Sequence, residues 1–198
     1  LDRVTGEFLV GKPFARQTWA IGLDDDGRPI EDPETIPSVD GALVYPDDDG
    51  AANWYSPTYS PQTQLLYQNV REKGGIYYLA DATYEPGKIY MGASRRVVSG
   101  EDPKGFLRAL DALTGDLVWE LEVHAPPWAG LMSTAGGLVF SGTMEGDFFA
   151  ADARTGAVLW RFQTGGSVYA NPITYLSEGR QFIAIAAGSG LFTFALPE

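Results

Sequence analysis

The chain has 198 residues, 44% of them hydrophobic and 20% charged, which is enough apolar content for a buried core and too much for a disordered acidic tail. Its 14 basic and 26 acidic residues give a formal net charge of -12, leaving no basic stripe for a nucleic-acid backbone. Cysteine is absent, which excludes a disulfide framework, a thiolate nucleophile, a Cys-ligated zinc and a c-type haem attachment within this chain.

The abundance of glycine and proline suits many short strands joined by tight turns better than helices. No basic leader opens the chain at Leu1-Asp2-Arg3 and no run of eighteen apolar residues occurs, so it reads as soluble, with room for a signal peptide in a longer parent. The first element is a turn at Asp2, Thr5 and Gly6, read as the end of a third strand. Residues 15–49, rich in Asp, Pro and Gly, read as a long loop between repeat units. Within it the runs Asp24-Asp25-Asp26 and Asp47-Asp48-Asp49 read as solvated turns, since neither continues into an EF-hand loop. Residues 54–59, 65–70, 76–79 and 88–91 are predicted strands, and Arg95-Arg96 reads as a loop or a salt-bridging pair.

The strongest signal follows. Residues 105–119 align without gaps to residues 146–160, with Ala109/Ala150, Asp111/Asp152, Thr114/Thr155, Gly115/Gly156 and Trp119/Trp160 identical. An offset of 41 residues (160 − 119) built from short β segments indicates the four-stranded blades of a β-propeller. In each copy Thr-Gly closes a hairpin, the glycine takes positive φ, the Asp carboxylate accepts turn N–H groups, and the Trp projects into the seam with a neighbouring blade. Residues 181–186 and 191–196 read as a second and third strand without a matching fourth. The chain is therefore expected to be all-β, a propeller segment incomplete at both ends.

Few residues invite chemistry. His124 is the only histidine, so no His-His metal pair can assemble from this chain, and no local Ser-His-Asp site surrounds it. Ser133-Thr134 lack an activating base, and Gly188-Ser189-Gly190 lacks both the GxGxxG spacing and the following helix of a phosphate loop. Asn53 reads either as a turn or strand-start residue or as a ligand contact, its amide offering a donor and an acceptor. Trp128, between Pro127 and Ala129-Gly130, reads either as core packing or as the cap of a cavity.

The stretches LDRVTGEFLVGKPF, TWAIGLDDDGRPI, ANWYSPTYSPQTQLLY, FLRALDALTGDLVWE, PPWAGLMSTAGGLVFSGTMEGDFFAADARTGAVLWRFQTG and GRQFIAIAAGSG resemble, in this order, the pyrroloquinoline-quinone-dependent alcohol dehydrogenases, including methanol dehydrogenase-like large subunits. The resemblance covers essentially the whole chain and implies the C-terminal third of an eight-bladed quinoprotein propeller. It implies that Asn53 hydrogen-bonds the quinone, that Trp128 borders the same pocket, and that Gly188 and Gly190 lie where the last blade approaches the cofactor edge. Family members carry Gly-Gly-Trp-Pro in that last loop, whereas this chain runs into Leu191-Phe192, which implies a more open edge. Trp119 and Trp160 fall on the structural tryptophan-docking motif.

The resemblance places the general base, the calcium or lanthanide ligands and the stacked Trp upstream of Leu1. The chain alone is then expected to be inactive. Its parent would oxidise a primary alcohol or related substrate in the periplasm or another exported setting, together with the remaining propeller segment, and pass electrons to an external acceptor such as a cytochrome c. The competing class is a noncatalytic quinoprotein-like propeller used as a scaffold for binding or assembly, which would have no reason to keep Asn53 and Trp128 together.

Overall fold

The computed structural model describes residues 1–80 and 83–196, and apart from one 3-10 turn its regular elements are all β. The chain divides into two compact units. One comprises Leu1–Ala51 and Glu72–Pro103, the other Ala52–Arg71 and Lys104–Glu198.

The second unit carries three sheets in chain order. Strands β4 (Thr58–Ser60), β5 (Leu65–Glu72), β8 (Lys104–Asp111) and β9 (Leu117–Val123) form the first. Strands β10 (Met132–Ser133), β11 (Leu138–Gly142), β12 (Asp147–Asp152) and β13 (Val158–Gln163) form the second, and β14 (Ile173–Ser177), β15 (Arg180–Ala187) and β16 (Gly190–Phe194) the third. The inner strand β12 is apolar on both faces because it is sandwiched between neighbours. Strict alternation along β12 sends Phe149 and Ala151 to one side and Phe148 and Ala150 to the other. The first side packs with Leu65, Tyr67, Leu107, Ala109, Leu131 and Val139, filling the seam between the first and second sheets. The other side packs with Phe140, Val168, Ile185 and Ala187, filling the seam with the third. The outer strand β13 is exposed along its length.

The repeated turns share one geometry. The carboxylate of Asp111 accepts the N–H groups of Leu113 and Thr114, both at 2.9 Å, and that of Asp152 accepts those of Arg154 and Thr155, also at 2.9 Å. Asp2 accepts Val4 and Thr5 at 2.8 Å in the first unit, so all three copies of the motif fold alike. Each Asp carbonyl also accepts the N–H of the turn glycine, Gly6, Gly115 or Gly156, and these take φ of 77, 74 and 75°. The N–H donors hold the carboxyls of Asp2, Asp111 and Asp152 below the ordinary carboxylate pKa, with the Thr155 hydroxyl the leading cause at Asp152.

In the first unit, β3 (Ala42–Val44), β6 (Gly75–Leu79) and β7 (Ala93–Val97) form one sheet, and β1 (Ala20–Leu23) and β2 (Pro29–Glu31) a separate ribbon. The stretch 15–49, read as a loop, thus carries a ribbon, a 3-10 turn at Pro33–Thr35 and a sheet strand. Asp24 closes the ribbon by accepting the N–H of Asp26 and Arg28, as expected of a solvated turn. The second Asp run behaves differently. Asp47 is buried and ion-paired, 2.9 Å from Lys73 and 3.5 Å from Arg95, and Arg95 also binds Asp48. Those cations sit far along the chain, beside β6 and on β7, and cannot be assigned to Asp47 by local pattern.

Two other strand expectations fail. Residues 88–91 form no strand, and Ile89, Tyr90 and Met91 are exposed, because the edge of β6 pairs with β7 instead, Gly75 opposite Val97 through Leu79 opposite Ala93. Of residues 54–59 only the end is a strand, since Pro57 has no N–H to donate and Tyr55 is drawn into the interior.

Candidate functional site

Three loops of the second unit carry Asn53, Trp128 and their neighbours. They are the approach to β4, the β9–β10 loop and the β13–β14 loop. Leu131 N–H donates to the Ser56 carbonyl at 3.0 Å, and Gly130 N–H to the Ala170 carbonyl at 3.3 Å, so the three are laced through their main chains. The Asn171 amide adds two bonds to Ser56, accepting its N–H at 3.3 Å and donating to its hydroxyl at 3.2 Å. A Cβ at Gly130 would lie 1.6 Å from the Asn171 Oδ1, so only glycine permits this approach.

Asn53 is exposed, and its Oδ1 accepts the N–H of Trp54 at 2.8 Å, which fixes the amide at the start of the loop. Tyr55 is 1% exposed and links the two expected residues. A main-chain hydrogen bond joins its hydroxyl to Asn53, and its ring stands perpendicular to the half-buried Trp128 at 6.2 Å. Burial pushes the Tyr55 hydroxyl pKa up to about 12 against the opposing charge of Arg71, so it is a neutral phenol at physiological pH.

Behind Trp128 lies a polar support on β5. Residues 67, 69 and 71 share one strand face, and all three are buried. Asn69 donates to the Ala129 carbonyl and to the Ser141 hydroxyl, both at 2.8 Å, and Ser141 in turn donates to the Gly130 carbonyl at 3.2 Å. The Arg71 guanidinium stacks 3.8 Å above the Trp128 ring. The loop carrying Trp128 is thereby pinned on its main chain and on its ring.

Asn53 and Trp128, distant in sequence, are therefore joined through Tyr55. Gly188 and Gly190 belong to a fourth loop of the same unit, which meets the β13–β14 loop. Gly188 and Ser189 make the two-residue turn between β15 and β16, with Ala187 opposite Gly190 and Gly188 at φ 54°. Gly188 donates to the Ser167 carbonyl at 3.0 Å and lies against Gly166. Tyr55, Asn69, Arg71, Ser141 and Asn171 were not singled out from sequence. The available signal was the polar trio Gln68, Asn69 and Arg71 following the apolar start Leu65-Leu66-Tyr67 of the strand, since buried polar groups need dedicated partners. His124 is exposed, and among the described residues no group of three acidic, His or Cys side chains is placed to hold a metal ion.

Comparison with known proteins supplies the frame for these loops. Residues 103–194 match a family model described as outer membrane protein assembly factor BamB. The chain is 38% identical to the quinoprotein alcohol dehydrogenase PedH of Pseudomonas putida, over 96% of its own length and 33% of that protein. It is 38% identical to the lanthanide-dependent methanol dehydrogenase of Methylacidiphilum fumariolicum, over 96% and 32%. Among solved structures, the quinohemoprotein alcohol dehydrogenase ADHIIG of Pseudomonas putida HK5 superposes with a TM-score of 0.88 at 30% identity, covering 96% of this chain and 30% of that one. A europium-containing methanol dehydrogenase superposes with a TM-score of 0.84 at 36% identity, covering 93% and 34%. The chain spans about a third of the length of these relatives. Over nearly all of its own length its homologues are quinoprotein alcohol dehydrogenases, and its fold is that of the matching part of their β-propeller.

Proposed function

We propose that this chain is the C-terminal portion of a pyrroloquinoline-quinone-dependent alcohol dehydrogenase and forms one wall of its quinone pocket. The observation that carries the reading is the junction of Asn53 and Trp128 through the buried Tyr55. The residues suit such a ligand. A flat, anionic polycarbonyl asks for an amide that donates to oxygen and for a flat apolar wall, and an Asn carboxamide and a braced indole answer both needs. The quinone, when bound, accepts two electrons and two protons as a primary alcohol becomes an aldehyde.

On this reading the Nδ2 group of Asn53 donates to a cofactor oxygen, and Trp128 excludes water from that side. Gly188 and Gly190 form the cofactor-facing edge of the last blade, and the absence of the family's Gly-Gly-Trp-Pro leaves that edge more open. Trp119 and Trp160 act as blade-docking residues. The general base and the ligands of a calcium or lanthanide ion come from the remaining propeller segment. Electrons leave to an external acceptor such as a cytochrome c, and the protein works in the periplasm or another exported compartment.

The test uses the full-length protein. Asn53→Ala should weaken quinone binding by about 1–3 kcal/mol, the cost of losing buried hydrogen bonds. Asn53→Asp should weaken it further, because it sets a negative charge beside an anionic ligand. Trp128→Ala should lower alcohol-dependent reduction of an artificial acceptor. Unchanged affinity in both Asn53 variants together with unchanged turnover in Trp128→Ala would remove these residues from any pocket and favour a scaffold.

A further inference from the structure

The pocket reading accounts for Asn53 and Trp128 but not for Arg71. Arg71 is 3% exposed, and burying a guanidinium is costly unless its surroundings compensate the charge. The indole face of Trp128, 3.8 Å below the guanidinium carbon, provides one such compensation. Tyr55 meets the same indole at 90°, on a ring pair 6.2 Å apart. One partner therefore sits over the ring face and the other stands perpendicular to the ring, so the indole is contacted from two directions. Asn69, two residues before Arg71 on the same strand face, ties the following residue Ala129 by its carbonyl, so ring and main chain are fixed from one strand.

We propose that Arg71 is a positioning residue, holding the Trp128 indole in the orientation a flat ligand meets. This rests on the quinone-pocket reading. The role requires the planar fork of arginine, since a lysine ammonium keeps the charge but cannot stack as a plane.

The experiment uses full-length protein labelled with 5-fluorotryptophan, with the Trp128 resonance assigned by Trp128→Phe. Arg71→Lys and Arg71→Met are compared with wild type, and pyrroloquinoline quinone is titrated into each apoprotein. The Trp128 fluorine resonance should shift and broaden in both variants while those of Trp119 and Trp160 stay in place, a pattern that also reports an intact fold. Quinone affinity should fall about 3- to 30-fold, the range expected for a desolvated cation–π contact. If Arg71→Met does not fold, Arg71→Lys decides the matter, because it keeps both charge and stem. An unmoved Trp128 resonance, or a moved one with unchanged quinone affinity, overturns the proposal. Trp128→Ala separates the two readings. If it leaves affinity unchanged, the pocket assignment falls; if it weakens affinity while neither Arg71 variant does, only the positioning role falls.

Discussion

Trp119 and Trp160 hold the same register position in successive sheets, opposite Ala109 and Ala150, and each follows the same break in pairing. Their surroundings nevertheless differ. Trp119 is half-buried, packs against Tyr67 at 5.7 Å, and donates its indole N–H to the Ala153 carbonyl at 3.1 Å. The Tyr67 hydroxyl donates to the same carbonyl at 2.9 Å, so both lone pairs of one backbone oxygen in the next sheet's Asp-Thr-Gly turn are engaged. Trp160 is 37% exposed and meets three rings, Phe148 at 6.0 Å, Phe162 at 6.3 Å and Phe194 at 4.9 Å. The repeat motif fixes where the side chain points, and the turn facing Trp119 adds a hydrogen bond to the ring contact.

Truncation gives the largest expected difference. Trp119→Ala should cost about 2–4 kcal/mol and Trp160→Ala about 1–2 kcal/mol in this chain, because the first ring is more enclosed and donates to the Ala153 carbonyl. Denaturant unfolding of the two variants checks this, and equal losses would break the comparison. Gly156→Ala comes next. It places a Cβ at φ 75° and 2.6 Å from the Trp119 ring, for a combined cost of about 2 kcal/mol. Paired with Trp119→Ala, the same change should cost only about 1 kcal/mol, since the ring contact is already gone and backbone strain alone remains. Additive losses would show that Gly156 and Trp119 do not communicate.

The smallest effect is a pH dependence. Asp111 and Asp152 have depressed pKa values in the folded chain, so their stabilisation is present above the unfolded carboxylate pKa of about 3.9 and fades as pH falls through the lower folded values. An Asp111→Asn/Asp152→Asn double variant should therefore lose less stability than wild type on acidification below about pH 4. Parallel acid-unfolding curves would assign the wild-type dependence to other carboxylates.

The repeat made the second unit readable. Residues 105–119 and 146–160 identify their strands, their turns and the positive-φ glycines because every one of those features is local. Asp47 was not readable, since its cations arrive from positions 73 and 95, and neither was the failure of residues 88–91, where apolar content competes for a strand edge that β7 occupies. At the site, Asn53 and Trp128 stood out through resemblance to a family. Tyr55 and Arg71 are visible only once the loop before β4 and the strand β5 are seen against Trp128. Arg71 in particular looks like a solvent-facing strand end until its burial is known.

The strands at the centre of these sheets are linked in very different ways. Residues 143–146 join β11 to β12 and residues 188–189 join β15 to β16, whereas residues 73–103 intervene between β5 and β8 and fold into another sheet. Closing a loop costs entropy that rises only slowly with length, about 0.6 kcal/mol per doubling, so the long excursion costs the finished β5–β8 pairing little. Its effect is on time. Hairpins whose strands adjoin form on the scale of microseconds, while pairings across long separations wait for the chain to bring their ends together. The second and third sheets can then form from the chain nearest at hand, and the first sheet, which carries Tyr67, Asn69 and Arg71 on one strand, is expected to close last of the three. The side chains that brace Trp128 are then expected to reach it late in folding, a sequence that refolding kinetics of an Arg71 variant would check.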